Sequence, residues 1–355
     1  MGAEIAISLA STDDKLSWDD YVKHHRHATP YHCYGWMEAV YIAYGHNSIG
    51  AIARCAISDK VVGVFPAVLM KTPFVGKQIC ALPYCDVGYP LADSDDVVEA
   101  LQQFIQKQLV VNETNKLEIR GVSYHPHNEE DFHNKKVRML LTLPESSDLL
   151  LSSFKSKLRS QIRKAEKNGL HWKMGRNEQL IDHFYYVYAR NMRDLGSPAH
   201  ALKWFKAIVK TYADNAVISI VYNGAEPIGG GIVLNAGPHA CIPWASTLRE
   251  HNSLAPNMLL YWSLLSHCAD NGIRQFDFGR STYLEGTYKF KKQWGALPQL
   301  LQWQKLNNKG ESVDDSSSED ETPSALREMA EGVWRKLPLK ITIMTGSLIR
   351  PYISL

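Results

Sequence analysis

The sequence predicts an α/β protein with two domains, and three observations support this. The sequence is 45% hydrophobic and 21% charged, which is enough apolar content to fold. At 355 residues, the chain is too long for one ordinary core. A hairpin, a helix and a strand recur in the same order in both halves. An acidic, serine-rich stretch precedes a basic, apolar tail. We predict domains at 1–150 and 151–308, a flexible linker at 309–324 and an amphipathic tail at 325–355.

The first half contains one copy of the repeated unit. AISDKVVGVFPAVLMK at 56–71 predicts two strands about a turn at Asp59-Lys60. DVVEALQQFIQKQLVV at 96–111 predicts a helix. KLEIRGVS at 116–123 alternates apolar and polar residues, which is typical of a strand.

The second half repeats this order. VYNGAEPIGGGIVLN at 221–235 predicts two strands about an Asn-Gly turn. LAPNMLLYWSLLSHCADNG at 254–272 predicts a buried helix that begins near Pro256 and ends at Gly272. IRQFDFGRS at 273–281 predicts a strand. The matching order favours duplication of an α/β unit.

Two predicted helices near the start of the second domain carry concentrated charge. FKSKLRSQIRKAEKNG at 154–169, here named the basic helix, has six Lys or Arg residues against Glu166. Its apolar residues recur at helical spacing, and they are Phe154, Leu158, Ile162 and Ala165. A solvated surface helix and an anion-binding face are both open interpretations. The helix predicted at 177–198 places Arg190 and Arg193 away from its apolar stripe.

Charged and aromatic side chains gather where the last of these strands ends, in FDFGRSTYLEGTYKFKKQWGA at 276–296. Asp277 and Arg280 lie at the carboxyl end of the strand, where α/β sheets commonly build sites. We expect a glycine-bracketed turn to follow, with lysines that can hold negative charge and rings that can stack on a base or sugar. A lysine beside a reacting carbonyl can stabilise a developing oxyanion. We interpret the cluster as a site, although each residue alone is more typical of an ordinary strand end.

Other chemistries have little support. The sequence contains neither a G-x-x-x-x-G-K-[ST] phosphate loop nor a G-x-S-x-G elbow. GGGI at 229–232 lies within a hairpin and fits close backbone packing better than nucleotide binding. The histidines of 24–32 lack cysteine or carboxylate partners at a known spacing, and those of 125–133 fall in a polar loop. We therefore expect no metal.

The six cysteines form no C-x-x-C pair, which indicates reduced thiols in a cytosolic protein. We predict neither a secretory signal nor a membrane-spanning segment. The tail from 325 places Trp334 and several aliphatic residues beside Arg335, Lys336 and Lys340. It fits a membrane interface, docking on the body of the protein or docking on a partner equally well.

Five stretches of the sequence resemble the FemAB-type transferases. The resemblance is closest to the FemAB-like branch that is associated with exosortase (PEP-CTERM) and exopolysaccharide gene sets. The likeness spans roughly residues 10 to 305. The stretches that carry it are ALPYCDVG (81–88), KLRSQIRKAEKNGL (157–170), FYYVYARNMRDLGSPAH (184–200), APNMLLYWSLLSHCADNGIRQFDFGRS (255–281) and GTYKFKKQWGA (286–296). The resemblance implies two acetyltransferase-like (GNAT) domains, with mixed sheets flanked by helices.

The resemblance also implies an acyltransferase or aminoacyltransferase. Well-studied members move an aminoacyl group from aminoacyl-tRNA to an amine of a peptidoglycan precursor, with no metal and no bound cofactor. Their F-K-x-x-[FW]-G motif maps onto Phe290, Lys291, Trp294 and Gly295. It implies that Lys291 stabilises the tetrahedral intermediate, and we add Asp277 as a candidate for proton transfer. The candidate substrate-binding residues are Lys157, Arg159, Arg163, Arg190, Arg193, Arg280, Tyr288, Phe290 and Trp294.

Three functions are considered. The first is aminoacyl transfer in the cytoplasm to a cell-envelope or exopolysaccharide precursor, with the tail a candidate for peripheral contact with the inner membrane. The second is N-acyl transfer from acyl-CoA, although the sequence lacks the [QR]-x-x-G-x-[GA] loop usual in such enzymes. The third is binding of RNA or another anionic polymer without catalysis. Aminoacyl-tRNA or acyl-CoA would act as co-substrate and not as cofactor.

Overall fold

The structure, a computed structural model, describes four stretches of the chain, which are 4–73, 76–125, 127–313 and 325–355. For 325–327 it describes only the backbone. Residues 314–324, the larger part of the predicted acidic linker, lie outside the described residues.

The helices and strands alternate along the chain. Up to residue 122 they are β1 (Ile5–Leu9), α1 (Lys15–His24), α2 (Tyr34–Tyr44), β2 (Asn47–Ser48), β3 (Ala51–Cys55), β4 (Val61–Phe65), β5 (Val68–Thr72), β6 (Gly76–Cys80), β7 (Leu91–Ala92), α3 (Asp95–Val111) and β8 (Leu117–Val122). From residue 136 they are β9 (Lys136–Thr142), α4 (Ser147–Ser153), α5 (Ser156–Lys167), β10 (Leu170–Gly175), α6 (Glu178–Leu195), α7 (Leu202–Tyr212), β11 (Ala216–Asn223), β12 (Glu226–Ala236), β13 (His239–Thr247), α8 (Pro256–Asp270), β14 (Gln275–Thr282), α9 (Gly286–Gln293), β15 (Leu297–Leu306), α10 (Ala325–Lys336) and α11 (Leu339–Ile349).

The chain divides into two compact units. Unit 1 comprises the described parts of Met1–Val137, Gln299–Ser316 and Tyr352–Leu355. Unit 2 comprises Arg138–Pro298 and the described part of Ser317–Pro351. These limits differ from the predicted ones at 150 and 308. The second unit begins earlier because β9 lies beside β14 in the sheet and α4 packs on α8. The chain returns to unit 1 because β15 pairs antiparallel with β8.

Unit 1 contains two groups of strands. One has the order β1-β3-β4-β7, and the other has the order β15-β8-β6-β5-β2. Helix α3 buries Val97, Leu101, Ile105 and Leu109, a four-residue spacing that forms one apolar face. This face packs on β3 and β4. Strands β6 and β8, on either side of α3 in sequence, pair in parallel.

Unit 2 has the strand order β10-β11-β12-β13-β14-β9. Strands β10 to β13 are antiparallel, whereas β13 and β14 are parallel and are connected through α8. Large side chains fill the core, and Trp204, Phe184, Phe205 and Phe276 are fully buried. Each unit therefore contains a strand, helix and parallel strand, in agreement with the repeated order in the sequence.

Local predictions are mostly confirmed, with two corrections. The turn at Asn223 joins β11 to β12, and Gly224 there has φ 58°. The turn predicted at Asp59-Lys60 in the first half is also confirmed, and Asp59 there has φ 55°. However, the strand before it is β3, which ends at Cys55, so residues 56–60 are turn and not strand. The turn expected after β14 is wrong, because Gly286–Gln293 is an α-helix.

The described residues contain no helix that is long and apolar enough to cross a bilayer. Nor do they contain a group of three or more His, Cys, Asp or Glu side chains placed to hold a metal ion. All six cysteines are free thiols, and four of them are buried.

Candidate active site

Strands β13 and β14 begin as a parallel pair and then separate. Their pairing joins His239–Cys241 to Gln275–Asp277. Beyond Cys241, β13 continues to pair with β12 on its other side, up to Thr247 opposite Gly229. The carboxyl-terminal parts of β13 and β14 are thus not bonded to each other. Since ligand sites of α/β sheets lie at the carboxyl ends of strands, this opening is the centre of the candidate site.

Three glycines of β12 allow helices to approach the sheet closely beside this opening. A Cβ atom on Gly230 would lie 3.0 Å from Ile220 and 3.2 Å from a ring carbon of Phe184 in α6. One on Gly231 would lie 3.0 Å from Leu264 in α8. The GGGI stretch therefore serves close packing, as the sequence indicated.

A short segment leads from β13 into α8. Arg249–Leu254 forms a 3-10 helix, and Ala255 then adopts a left-handed backbone with φ 63°. Helix α8 begins at Pro256, and within the described part of the chain no side chain caps its first turn. Amides at a helix start that lack a side-chain acceptor attract anions, so the start of α8 can contribute to an anion site.

Contacts from α6 and from the residue after α5 hold this segment and the end of β13 before it. Nη2 of Arg190 lies 2.5 Å from Oε1 of Glu250, and Nδ2 of Asn191 donates to Oγ of Ser246 at 3.2 Å. Next to the end of α5, Nδ2 of Asn168 donates to the carbonyl of Leu254 at 3.2 Å. The structure thus brings predicted Arg190 to the segment that precedes α8. The other side chains in these contacts were not predicted from the sequence, since neutral polar groups and a single glutamate give no distinct pattern.

Lys291 and Asp277 are both buried against β14, but Asp277 is the third of its eight residues and does not lie at the carboxyl end that the sequence predicted. Nζ of Lys291, a side chain only 7% exposed, donates to the carbonyls of Gly279 at 2.9 Å and Arg280 at 2.7 Å. Oδ1 of Asp277 accepts from the Gly279 amide at 2.7 Å, and Oδ2 lies 3.5 Å from Nη1 of Arg138. One ammonium and one carboxylate therefore fix the backbone of 277–280.

The predicted aromatic residues differ in exposure. Trp294 is buried, with ring centroids 5.4 Å from Phe154 and 6.1 Å from Tyr261. Tyr288 is also buried and packs on Tyr283 at 4.8 Å. These two rings attach α9 to the rest of unit 2, so only a change of packing would expose them to a ligand.

Phe290 is half-buried, and its ring contacts that of Tyr261 at 5.0 Å. It is therefore the partly exposed member of the predicted aromatic motif. Burial also raises the pKa of Tyr261 well above its usual value, so the hydroxyl of that ring stays protonated at neutral pH.

The predicted cations divide into two groups. The apolar stripe is buried as expected, with three of its residues in α5 and Phe154 just before it, whereas Lys157 and Arg163 are exposed. Arg159 is half-buried and its Nη1 donates to the carbonyls of Ser152 and Phe154 at the end of α4. Lys157 and Arg163 thus present charge to solvent, and Arg159 also stabilises the backbone before α5.

Arg193 makes a local contact, whereas Arg280 contributes its backbone carbonyl. Arg193 forms an ion pair with its neighbour Asp194 at 2.8 Å. Arg280 is half-buried, and its carbonyl oxygen accepts a hydrogen bond from the Lys291 ammonium. Arg190, in contrast, reaches across to the segment before α8 through Glu250.

The comparisons with known proteins agree with this architecture. Residues 152–292 match the family model described as "Acetyltransferase (GNAT) domain". The match covers most of unit 2, including α5, α6, α8, β14 and nearly all of α9. The region is therefore a GNAT-type acetyltransferase domain, and the protein is an enzyme of the acyltransferase class.

Among similar solved structures, that of FemX has a TM-score of 0.65 at 13% identity, covering 83% of this chain and 95% of its own. The C-terminal domain of a putative lysylphosphatidylglycerol synthetase from Agrobacterium fabrum has a TM-score of 0.53 at 10% identity. The match covers 91% of this chain and 97% of that domain. The structure of L-PGS from Bacillus licheniformis has a TM-score of 0.50 at 11% identity, and the match covers 90% of this chain and 96% of that one. No curated protein sequence matches significantly.

At these identities the likeness concerns the fold. The predicted fold, GNAT-like units with mixed sheets flanked by helices, is confirmed. The assignment to the exosortase-associated branch stays a prediction.

Proposed function

We propose that the protein transfers an aminoacyl or related acyl group from an activated ester, aminoacyl-tRNA, to an amine of a cell-envelope or exopolysaccharide precursor. The observation that carries this proposal is the position of Lys291, buried against the end of β14 within a GNAT-type domain. Its motif resembles that of the FemAB-type transferases. A further support is the name of one similar structure, a putative lysylphosphatidylglycerol synthetase, because that product carries an aminoacyl group.

The proposed reaction is direct attack by the acceptor amine on the donor ester carbonyl. A C–N bond forms, the ester C–O bond breaks, and one proton passes from the amine to the leaving oxygen. The carbonyl oxygen carries negative charge in the tetrahedral intermediate. The Lys291 ammonium, fixed by two carbonyls, supplies a pre-oriented positive charge that stabilises this oxyanion.

Asp277 contributes by orienting this end of the strand. Its carboxylate holds the Gly279 amide, and Gly279 in turn supplies one of the two carbonyls that bind Lys291. We therefore propose Asp277 as a positioning residue first, with proton transfer from the attacking amine as its second role.

The donor is anionic, and two features suit it. Lys157 and Arg163 offer exposed positive charge on α5, and the first turn of α8 offers backbone amides to an anion. Arg190 and Asn168 hold the segment between β13 and α8, so they act on donor binding through that backbone.

Acyl-CoA is the second candidate donor. The separation of β13 from β14, next to the start of α8, is a shape that admits an extended thioester arm with its phosphates at the helix. The absence of the [QR]-x-x-G-x-[GA] loop from the sequence weighs against it.

The test is a transfer assay with labelled aminoacyl-tRNA or labelled acetyl-CoA, together with amine-bearing peptidoglycan and polysaccharide precursors. We expect label to move from tRNA to the acceptor and to depend on Lys291. Transfer from acetyl-CoA alone would replace the first proposal with the second. Tight RNA binding without any transfer would contradict both.

A further inference from the structure

Helix α11 presents its small residues to unit 2 and its large apolar residues to solvent. Thr342 and Gly346 are buried, whereas Met344 is 59% and Leu348 is 66% exposed. Ile341 and Ile349 are also exposed, at 40% and 46%. At 100° per residue the four large side chains share one face of the helix. A surface helix of a globular protein normally has the opposite arrangement.

The orientation of α11 is fixed by close backbone contact. A Cβ atom on Gly346 would lie 2.9 Å from the nitrogen and 3.0 Å from the oxygen of Ala199. Only glycine permits this approach, so the helix cannot turn a bulkier side inward without moving away. The outward apolar face is therefore a built feature of the packing.

Helix α10 carries further exposed apolar side chains. Like α11, it packs on α6. Its Met329 and Val333 are 63% and 57% exposed, and they lie four residues apart on one side of the helix. We name the exposed apolar side chains of the two helices the tail face, and they are Met329, Val333, Ile341, Met344, Leu348 and Ile349.

The charged residues between Val333 and Leu348 are all basic, whereas Glu328 and Glu331 lie earlier in α10. Lys336 is exposed and follows Val333 by three residues, and Lys340 is exposed and precedes Met344 by four. The sequence has no Asp or Glu after Glu331, which pairs with Arg335 at 3.1 Å. Apolar side chains flanked by exposed lysines are complementary to an anionic lipid surface.

We propose that the tail face lies in the headgroup region of an anionic bilayer and attaches the enzyme peripherally. Helix α11 has 11 residues, or roughly 16 Å, about half the hydrocarbon thickness, so it suits an in-plane position and not a crossing. A second copy fits less well, because a two-fold contact through this face would bring its lysines together. The proposal rests on the tail alone and is independent of the transfer reaction.

The experiment is flotation of the full chain with phosphatidylcholine vesicles, with or without 30% phosphatidylglycerol. We expect binding at least tenfold stronger to the anionic vesicles, and weaker binding as salt is raised. The Met344→Ser, Leu348→Ser double variant should bind at least tenfold more weakly. A matched control is Val110→Ser, Val111→Ser on α3, where the side chains are 68% and 71% exposed, and it should bind like the wild type.

A second variant separates charge from apolar contact. Lys336→Ser with Lys340→Ser should remove most of the preference for phosphatidylglycerol while thermal unfolding stays unchanged. Equal binding to both vesicle types, or full binding by the Met344 and Leu348 variant, would overturn the proposal. The proposal would also be overturned if the wild-type protein were a dimer that binds no vesicles and the Met344 and Leu348 variant were a monomer. The tail face would then be a contact with a second copy.

Discussion

The ammonium of Lys291 donates to the carbonyl of Arg280 at 2.7 Å and to that of Gly279 at 2.9 Å, so α9 is fastened to the end of β14. This contact gives Lys291 a structural role before any substrate binds. The same contact places a positive charge beside residues 279 and 280, which follow the part of β14 that pairs with β13. Any test of its catalytic role must therefore separate lost charge from lost packing.

Replacing Lys291 with methionine keeps an unbranched side chain, one atom shorter, and removes its charge. We expect kcat/KM for transfer to fall by about 10²–10³-fold, the usual loss when one oxyanion donor is removed. The free energy of unfolding should fall by about 1–3 kcal/mol, because two buried carbonyls lose their donor. Steady-state kinetics and denaturant unfolding measure the two effects.

The control for this variant is Phe276→Leu, which loosens the fully buried packing of β14 and leaves every charge in place. It should lower stability by a similar amount and change kcat/KM less than tenfold. If both variants lost the same activity, the role of Lys291 would be structural only.

Reversing charge at Lys157 and Arg163 tests the exposed side of α5. Both side chains are exposed, so Lys157→Glu with Arg163→Glu should change stability by less than about 0.5 kcal/mol. The KM for an RNA donor should rise at least tenfold. The slope of log affinity against log salt concentration should become shallower by about two. Lys210→Glu on α7, also exposed, is the matched control. An equal effect of all these reversals would indicate general electrostatics and not a binding face.

Much of the local structure was predictable because burial leaves a period in the sequence. Leu158, Ile162 and Ala165 recur at helical spacing and are buried together, and the Asn-Gly turn joins β11 to β12. Helix α9 was missed because its lysines and the bracketing Gly286 and Gly295 resemble a loop. Its buried residues, Tyr288 and Lys291, do recur at helical spacing, but an inward-facing lysine is not an expected core residue.

Features that depend on distant pairing had no local signal. Strand β15 returns to unit 1 by pairing with β8, about 180 residues earlier, as in Leu301 with Val122. The separation of β13 from β14 likewise follows from which strands lie on their other sides. Among the site residues, sequence pattern found the cations but not their partners, such as Glu250 for Arg190.

Two glycines of the tail helices form a matched pair for stability. A Cβ atom added to Gly332 in α10 would have no described atom within 4 Å, whereas one on Gly346 in α11 would meet the Ala199 backbone at 2.9 Å. Gly332→Ala should be neutral or stabilising by about 0.5–1 kcal/mol, since alanine favours helix. Gly346→Ala should detach α11. Hydrogen exchange of α11 amides should then rise in this variant and stay unchanged in the other.

Because the imidazole of His200 is buried in its uncharged form, we expect the stability of the protein to depend on pH. Its side chain is 2% exposed and stacks on Trp204 at 5.5 Å. Burial, and then the charge of Arg350, hold the pKa of His200 well below its usual value of 6.5. The unfolded chain therefore binds a proton near pH 6.5 that the folded chain does not. Stability should be full above pH 6.5 and fall by up to about 1.4 kcal/mol for each pH unit below it.

Denaturant unfolding between pH 7.5 and 5.5 measures this slope, in a range above the titration of ordinary carboxyl groups. His200→Asn, which cannot titrate, should be less stable at pH 7.5 but should flatten the slope below pH 6.5. Part of the slope should remain, because burial also lowers the pKa of His267. An unchanged slope in the His200 variant would show that the imidazole is protonated within the folded protein, and would contradict its burial in the neutral form.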